Sequence, residues 1–315
     1  MVIMRWSSKT VLVTGGAGFI GKHLSKRLIS ENARVIILDN FSYAPKFNVP
    51  EPAELVVADV SSYSQLQRSL FNIDVDFIFH LAAPSSVVLF NHAPVECFSK
   101  TIAGVINIFL FSQKRSVRKV IFPSSGSVYG NVPPPQSEDS TPRPINLYGI
   151  AKMTCEKIAE YYSNNVKYVG LRIFAGYGPG EEHKRDYASP VTLFLNAVMN
   201  DRPPIVFGDG SQSRDFVYID DIVNAFLKAA ESSFSGGIIN VGSGRSYTFN
   251  EVISMINNFL GKNISPKYIE KPKSYLERTC ADIRRMKEIL GITPLDLSEG
   301  LKRYLETLEG ERRTC

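Results

Sequence analysis

Tyr148 and Lys152 stand four residues apart in the amphipathic stretch LYGIAKMTCEKIAEYY, so both side chains project from one face of a helix. An ammonium group beside a phenol favours the phenolate, which is a general base near neutral pH. Ser125 ends the apolar run KVIFPSS, where its hydroxyl can hydrogen-bond the same substrate oxygen. The three residues therefore predict a site that removes the proton of a hydroxyl group, although this tyrosine–lysine spacing also occurs in ordinary amphipathic helices.

A glycine-rich turn lies near the start of the chain. In VTGGAGFIGKHL, Gly16, Gly18 and Gly21 form the pattern GxGxxG between an apolar run and a helical segment. These glycines allow a tight turn, a close approach of pyrophosphate to the backbone, and close packing of helix on strand. Asp39 ends the next apolar run, where its carboxylate can bind the adenosine ribose and would repel a 2′-phosphate. The pattern predicts NAD as the cofactor rather than NADP; the alternative is a glycine-rich turn without a ligand.

Elements of regular structure must hold these residues in place. Apolar runs separated by helix-length segments occupy the first half of the chain, and such runs are typical of parallel strands covered on both faces. They predict an α/β fold with a Rossmann-type doubly wound parallel sheet, in which ligands bind at the carboxyl ends of the strands. The runs are TVLVT (10–14), RVIILD (34–39), ELVVA (54–58), DFIFHLAA (76–83), KVIFPSS (119–125) and YVGLRIF (168–174).

After residue 175 the pattern changes to glycine- and proline-rich pieces interspersed with predicted helices. We expect an NAD-binding Rossmann domain over residues 1–175 and a smaller C-terminal substrate-binding lobe over 176–315. Parts of 215–245 are predicted to form a helix and a strand that return to the first domain. The helices predicted in this half lie near 189–200, 219–232, 248–260 and 298–309.

Composition and charge argue against several functional classes. The chain has 315 residues and a net charge of +5 without a basic block, so no nucleic-acid groove is predicted. The first residues contain no apolar secretion signal, and the run IAGVINIFLF is about half the ~20 residues that span a bilayer. The cysteines lack metal-ligand spacing, and we expect reduced thiols, no metal, no membrane insertion and a cytoplasmic protein. They are Cys97, Cys155, Cys280 and Cys315.

Seven motifs follow one another along the chain: TGGAGFIG (14–21), HLAA (80–83), SSGSVYG (124–130), YGIAK (148–152), LRIFAGYGPG (171–180), GDGSQSRDFVYIDDI (208–222) and INVGSG (239–244). Together they resemble the extended short-chain dehydrogenase/reductase family, in its nucleotide-sugar epimerase/dehydratase branch. The resemblance covers about residues 8–305. It implies an NAD-dependent enzyme that acts on a nucleoside-diphosphate sugar, with Ser125, Tyr148 and Lys152 as its catalytic triad.

The resemblance also implies which residues contact the ligands. Besides Tyr148 and Lys152, the implied NAD contacts are Gly15, Gly18, Phe19, Ile20, Asp39, Asn40, Asp59, Val60, Leu81, Ala82 and Ala83. The implied substrate contacts are Ser85, Ser125, Ala175, Lys184, Arg214 and Thr279.

Four of these substrate positions carry particular expectations. Ala175 replaces an asparagine that the family often uses on the substrate phosphates, so some substrate contacts must differ. Lys184 matches an active-site lysine of heptose 6-epimerases, although residues 181–185 also fit a solvated charged loop. Arg214 matches an arginine that grips the diphosphate, with a surface pair to Asp215 as the alternative. Thr279 matches the position that admits or excludes an N-acetyl group on the sugar. The alternatives are that Thr279 is an ordinary strand residue, or that a shifted alignment puts Arg278 or Cys280 at this position.

The implied reaction begins when Tyr148 takes the proton of a sugar hydroxyl, usually at carbon 4, while NAD takes the hydride. Related dehydratases carry an Asp-Glu pair after the catalytic hydroxyl residue, where this chain has Gly126 and Ser127. We therefore expect a UDP-hexose 4-epimerase that works through a 4-keto intermediate on UDP-glucose or UDP-N-acetylglucosamine. The alternatives are another nucleotide-sugar epimerase, such as a heptose 6-epimerase, a reductase or dehydratase, and a non-catalytic NAD-binding sensor.

The segment 94–115 is apolar around most of its central circumference, so a helix there must be buried on more than one side. One side can lie on the sheet. The other can pair with the same helix of a second subunit, together with the helix that carries Tyr148, as in the dimers of the family. We expect a homodimer.

Overall fold

Seven parallel strands form the central sheet of the computed structural model, which describes residues 6–271 and 275–314. Their order across the sheet is β11-β6-β5-β4-β1-β2-β3. The strands are β1 (Thr10–Thr14), β2 (Arg34–Asp39), β3 (Glu54–Val57), β4 (Phe77–His80), β5 (Lys119–Ser125), β6 (Tyr168–Ile173) and β11 (Gly237–Val241). The predicted α/β fold with a Rossmann-type doubly wound parallel sheet is therefore confirmed.

Helices cover both faces of this sheet, as the uniformly apolar strands require. Within β1, Val11 and Val13 belong to the core that also contains Leu24, whereas Leu12 belongs to the opposite core with Val105. The helices are α1 (Phe19–Ser30), α2 (Tyr63–Ser69), α3 (Val87–His92), α4 (Pro94–Arg115), α5 (Leu147–Tyr161), α6 (Pro190–Met199), α7 (Ile219–Glu231), α8 (Phe249–Leu260) and α9 (Leu297–Thr314).

The second half of the chain adds short strand pairs beside the main sheet. Strand β10 pairs with β7, β12 with β9, and β13 with β8. Strand β11 instead leaves this region and pairs in parallel with β6 of the central sheet. The short strands are β7 (Ala175–Tyr177), β8 (Ile205–Phe207), β9 (Ser213–Arg214), β10 (Phe216–Tyr218), β12 (Tyr247–Thr248) and β13 (Lys267–Ile269).

Local signals define where the helix that carries the tyrosine and lysine begins. Asn146 precedes α5, and its side chain accepts a hydrogen bond from the backbone N–H of Gly149 at 2.8 Å. Asparagine is a favoured residue at this capping position. The cap holds Tyr148 in the first turn of α5.

Helix α4 is long and apolar enough, by length and composition alone, to cross a membrane. Half of its most apolar 18-residue window is nevertheless buried inside the protein. This burial is typical of a helix that packs on a sheet. Within the part of the chain that the structure describes, no other helix meets these criteria.

The connections create one crevice at the carboxyl edge of the sheet. The chain leaves β1 towards β2 and β3 and then returns to β4 on the other side of β1. Ligands of open α/β sheets bind at such a reversal of strand order. The glycine-rich turn follows β1, and Ser125 ends β5 at the same edge.

Candidate active site

Close backbone packing explains the glycine-rich turn after β1. Gly15 has a φ of +70°, and a Cβ built there would lie 2.7 Å from the backbone nitrogen of Ala82. A Cβ on Gly21 would lie 2.2 Å from the carbonyl oxygen of Gly15. Among the described residues, a Cβ built on Gly18 would meet within 4 Å only that same oxygen, at 3.2 Å, so space in front of the turn stays open. The geometry fits a phosphate group held close to bare backbone.

Helix α1 begins directly after this turn without a side-chain cap. Its first N–H groups can therefore bind an anion. Asp39, at the end of β2, accepts hydrogen bonds from the N–H groups of Ala17 (3.0 Å) and Phe41 (2.8 Å). Burial raises the pKa of Asp39, and these backbone bonds oppose the rise. The carboxylate is thus held beside the turn, as adenosine ribose recognition requires, and the donor set fits NAD.

The other expected cofactor residues lie along the same edge. Asn40 follows β2, and its amide donates to the Asp59 carboxylate at 3.2 Å. The N–H of Leu81 donates to the Thr14 carbonyl, which joins the segment after β4 to the end of β1. Phe19 and Ile20 form the start of α1, Val60 follows β3, and Ala82 and Ala83 follow β4.

Lys152 connects the helix that carries Tyr148 to the strand that ends at Ser125. The Lys152 ammonium donates to the carbonyl of Pro123 at 3.1 Å, two residues before Ser125. It also lies 5.8 Å from the centre of the Tyr148 ring. The Ser125 hydroxyl accepts a hydrogen bond from the N–H of Ser127 at 3.1 Å. The arrangement offers a hydroxyl, a phenol and a fixed positive charge at one end of the crevice.

A histidine lies behind this group. His80 is buried, and its Nδ1 lies 2.8 Å from the hydroxyl of Thr14. Burial, and secondarily the charge of Lys152, lowers the pKa of His80 to about 3. His80 and Lys152 line a small cavity of about 10 Å³ together with Thr101 and Cys155. The imidazole is therefore neutral at physiological pH.

Arg214 makes no ion pair with Asp215. Its guanidinium donates to the carbonyls of Ser213, Leu276 and Glu277 and lies over the rings of Phe249 and Tyr275. The carboxylate of Asp215 is taken up by other donors, so the alternative surface pair predicted from the sequence is wrong.

The remaining expected substrate residues are dispersed. Ser85 is exposed, just before the Ser86 cap of α3. Ala175 begins β7, and its N–H donates to the carbonyl of Asp215 at 2.9 Å. Thr279 is buried, and its hydroxyl lies 3.4 Å from the N–H of Asp215, so its side chain faces the base of the lobe.

The charged loop at 181–185 is not simply solvated. Glu181 is buried and accepts hydrogen bonds from Lys184, Ser189 and Thr192. The Lys184 ammonium lies 4.4 Å from the centre of the Phe19 ring. The loop therefore packs against the first turn of α1, where the phosphates of a dinucleotide would bind.

Two buried acids in the site region were not predicted from the sequence. Glu156 continues the stripe of Tyr148 and Lys152 by one further helical turn, a spacing that signals a shared face. Asp215 lies in the QSRDF motif, in which the family resemblance points to its neighbour Arg214. No group of three or more histidine, cysteine, aspartate or glutamate side chains among the described residues could hold a metal.

Known proteins resemble the chain over almost its whole length. The model of the NAD dependent epimerase/dehydratase family matches residues 11–242. A UDP-glucose 4-epimerase of Mycolicibacterium smegmatis is 32% identical over 305 residues, which cover 94% of this chain and 97% of that protein.

Two solved structures are similar in fold. The structure of UDP-glucose 4-epimerase with UDP-glucose from Thermotoga maritima is 33% identical, with a TM-score of 0.92, and covers 96% of this chain and 99% of that one. UDP-N-acetylglucosamine 4-epimerase from Methanobrevibacter ruminantium, in complex with UDP-N-acetylmuramic acid, is 31% identical, with a TM-score of 0.89 and the same two coverages.

These similarities confirm the cofactor and the enzyme class expected from the sequence. NAD is the cofactor, the substrate is a nucleotide sugar, and the reaction is an epimerisation. The matched residues include the glycine-rich turn, the three candidate catalytic residues and strand β11. The chain belongs to the NAD-dependent epimerase/dehydratase family.

Proposed function

We propose that this NAD-dependent epimerase inverts carbon 4 of a UDP-hexose, with Ser125, Tyr148 and Lys152 as its catalytic residues. One observation carries the assignment. The Lys152 ammonium is bound to the carbonyl of Pro123, so it joins the helix of Tyr148 to the strand of Ser125. This junction lies at the same sheet edge as the open glycine-rich turn.

Each catalytic residue has a distinct task. The Ser125 hydroxyl orients the 4-hydroxyl of the sugar by a hydrogen bond. Tyr148, beside the charge of Lys152, takes the proton of that hydroxyl and later returns it to the 4-keto oxygen. When bound, NAD would supply the hydride acceptor and donor for carbon 4. Return to the opposite face of the keto sugar inverts the centre without net oxidation.

Residues along the carboxyl edge would hold the cofactor. The pyrophosphate fits Gly15, Gly18 and the N–H groups of Phe19 and Ile20, and Asp39 accepts hydrogen bonds from the ribose. Asn40, Asp59 and Val60 would surround the adenine. Leu81, Ala82 and Ala83 would line the path to Tyr148 and Lys152.

The two positions that follow Ser125 favour epimerisation over dehydration. A Cβ built on Gly126 would lie 3.2 Å from the ring of Phe174, so a carboxylate side chain there would force the ring to move. The next residue, Ser127, supplies no carboxylate either. The acid and base needed for loss of water are therefore missing at both positions.

We assign the substrate to the lobe that follows β6. Arg214 would bind the diphosphate after exchanging its carbonyl partners for phosphate oxygens, since a guanidinium fork suits both. Ser85 and the backbone of Ala175 would contact the sugar nucleotide, and Lys184 would add positive charge near the phosphates. Thr279 is the residue that would admit an N-acetyl group.

Chain organisation and assembly complete the proposal. The NAD-binding domain comprises residues 1–175 and the substrate lobe 176–315, with parts of 215–245 contributing to the first domain. Two subunits would pair through α4 and α5. A cytoplasmic location is supported by Cys97, Cys155 and Cys280, which are free thiols.

A panel of nucleotide sugars tests this function directly. Purified enzyme is incubated with UDP-, GDP-, ADP- and dTDP-hexoses and an ADP-heptose, and the products are resolved by NMR. We expect carbon-4 epimers from UDP-hexoses. Turnover of the ADP-heptose alone, or products lacking the elements of water, would contradict the proposal.

A further inference from the structure

A buried ion pair joins α5 to the sheet one turn beyond Lys152. Glu156 accepts hydrogen bonds from Nε and Nη2 of Arg172, on β6, at 2.8 and 2.7 Å. Both side chains are almost fully buried, at 8% and 5% exposure. A bidentate pair of this kind fixes orientation as well as distance.

The same carboxylate binds the residue next to Ser125. The hydroxyl of Ser124 donates to Oε1 of Glu156, and Ser124 is itself buried. Lys152 meanwhile donates to Pro123, the preceding residue of β5. Side chains of α5 therefore form hydrogen bonds with two successive residues of β5, Pro123 and Ser124, immediately before Ser125.

Further hydrogen bonds hold this network from behind. Nη1 of Arg172 donates to the hydroxyl of Tyr129, which in turn donates to the side-chain oxygen of Asn240. The amide of Asn240 donates to the carbonyls of Gln136 and Asp282. Since each of these polar groups has a partner, the network favours one arrangement of α5 against β5.

We propose that Ser124 and Glu156 are positioning residues of the epimerase, which set Ser125 in register with Tyr148 and Lys152. This inference rests on the proposed catalytic roles of those three residues. The hydroxyl of Ser124 is the most important group, because it is the direct contact between the Glu156 carboxylate and the end of β5. Small misplacements of a reacting group are costly in rate.

Ser124→Ala tests this role while leaving the ion pair of Glu156 and Arg172 intact. Its matched control is Ser112→Ala, because Ser112 is also buried and its hydroxyl donates only to a carbonyl of its own helix, that of Ile108. Ser125→Ala and the double variant Ser124→Ala/Ser125→Ala complete a cycle. For each protein, kcat and KM for UDP-galactose are measured per folded, NAD-loaded enzyme.

We expect Ser124→Ala to lower kcat about tenfold with KM within about twofold of wild type. Ser112→Ala should retain the wild-type kcat. In the Ser125→Ala background, Ser124→Ala should have little further effect, because residues that act through one another are not additive.

Three results would overturn the inference in distinguishable ways. A wild-type kcat in Ser124→Ala, with Ser125→Ala impaired, contradicts the positioning role and leaves the catalytic role of Ser125 standing. A full additional loss in the double variant means that Ser124 does not act through Ser125. A wild-type kcat in Ser125→Ala contradicts the proposed function itself, and the positioning role with it.

Discussion

At the scale of single residues, we expect Thr279 to affect which sugar is accepted and His80 to affect how stability depends on pH. Thr279 is buried, and its hydroxyl lies 3.4 Å from the N–H of Asp215. His80 is kept neutral behind Lys152 by burial.

Thr279→Tyr should reduce turnover of UDP-N-acetylglucosamine far more than turnover of UDP-glucose. A phenol in this position would exclude a bulky substituent at carbon 2 by steric clash, and clash is a strong filter. Thr279→Ser is the control, because it keeps the hydroxyl and adds no volume. Rates for both sugars are compared in the three proteins; an unchanged ratio in Thr279→Tyr would show that Thr279 is not the gate.

His80→Gln should flatten the dependence of stability on pH below neutrality. The pKa of His80 is about 3 in the folded protein, against about 6.5 in an unfolded chain. Between these values only the unfolded state binds the proton, so stability is lost as the pH falls through this window. Asp215, whose pKa burial raises to about 6, acts in the opposite direction but equally in both proteins.

The free energy of unfolding in urea is measured at pH 7 and pH 5 for this comparison. We expect the wild type to lose about 2 kcal/mol more than His80→Gln over that interval. The control is His92→Gln, since His92 is exposed on α3 and should keep the wild-type loss. Equal losses in wild type and His80→Gln would contradict a neutral buried imidazole.

At the scale of elements, Asp215 joins three segments of the substrate lobe. Asp215 directly follows β9. Its carboxylate accepts hydrogen bonds from the N–H and hydroxyl of Ser243, and from the N–H groups of Gly244 and Ala281. A carboxylate is suited to this position because it has only acceptors to offer. The segment that contains Thr279 is thereby tied to the end of β11.

Asp215→Asn should lower the free energy of unfolding by about 2–4 kcal/mol, because its amide turns a donor toward groups that are donors themselves. Asp209→Asn is the matched control: Asp209 also accepts from the N–H and hydroxyl of a serine, Ser211, but at an exposed turn. Urea denaturation of both variants is compared. Equal stabilities of the two variants would contradict the joining role of Asp215.

Elements were easier to predict from the sequence than their side-chain partners. The runs at 10–14, 34–39 and 119–125 coincide with β1, β2 and β5, because buried parallel strands are apolar throughout and end sharply at polar residues. Two of the three carbonyls that Arg214 binds belong instead to residues more than sixty positions away in the chain. No local sequence pattern reveals such partners. The sequence shows Glu156 at helical spacing from Lys152. Its pairing with Arg172, however, could be predicted only if the order of the strands were known.

At the scale of the whole molecule, α4 and α5 present an outward apolar surface. Along α4 it runs through residues at helical spacing from Val95 to Leu110, and along α5 from Leu147 to Tyr161. Val95 and Tyr161 are 78% and 81% exposed. Exposed apolar side chains on two neighbouring helices are typical of a subunit interface.

The double variant Val95→Glu/Tyr161→Glu should convert a dimer into a monomer. Charges at both ends of the surface would have to be desolvated in a self-complementary interface, where each appears twice. Phe259→Glu is the control, because Phe259 is also exposed (42%) but lies on α8, in the second half of the chain. Light scattering at micromolar concentration is the measurement; a monomeric wild type would contradict the proposed assembly.

The proposed reaction depends most on Tyr148, which we expect to move the proton of the sugar hydroxyl. The most direct test follows UDP-galactose by NMR with the wild type and with Tyr148→Phe, each with its bound NAD quantified, and with Tyr161→Phe as a control on the same helix. We predict that the wild type and Tyr161→Phe form UDP-glucose, and that Tyr148→Phe retains NAD but is at least about a hundredfold slower. A wild-type rate of epimerisation in Tyr148→Phe would contradict the account.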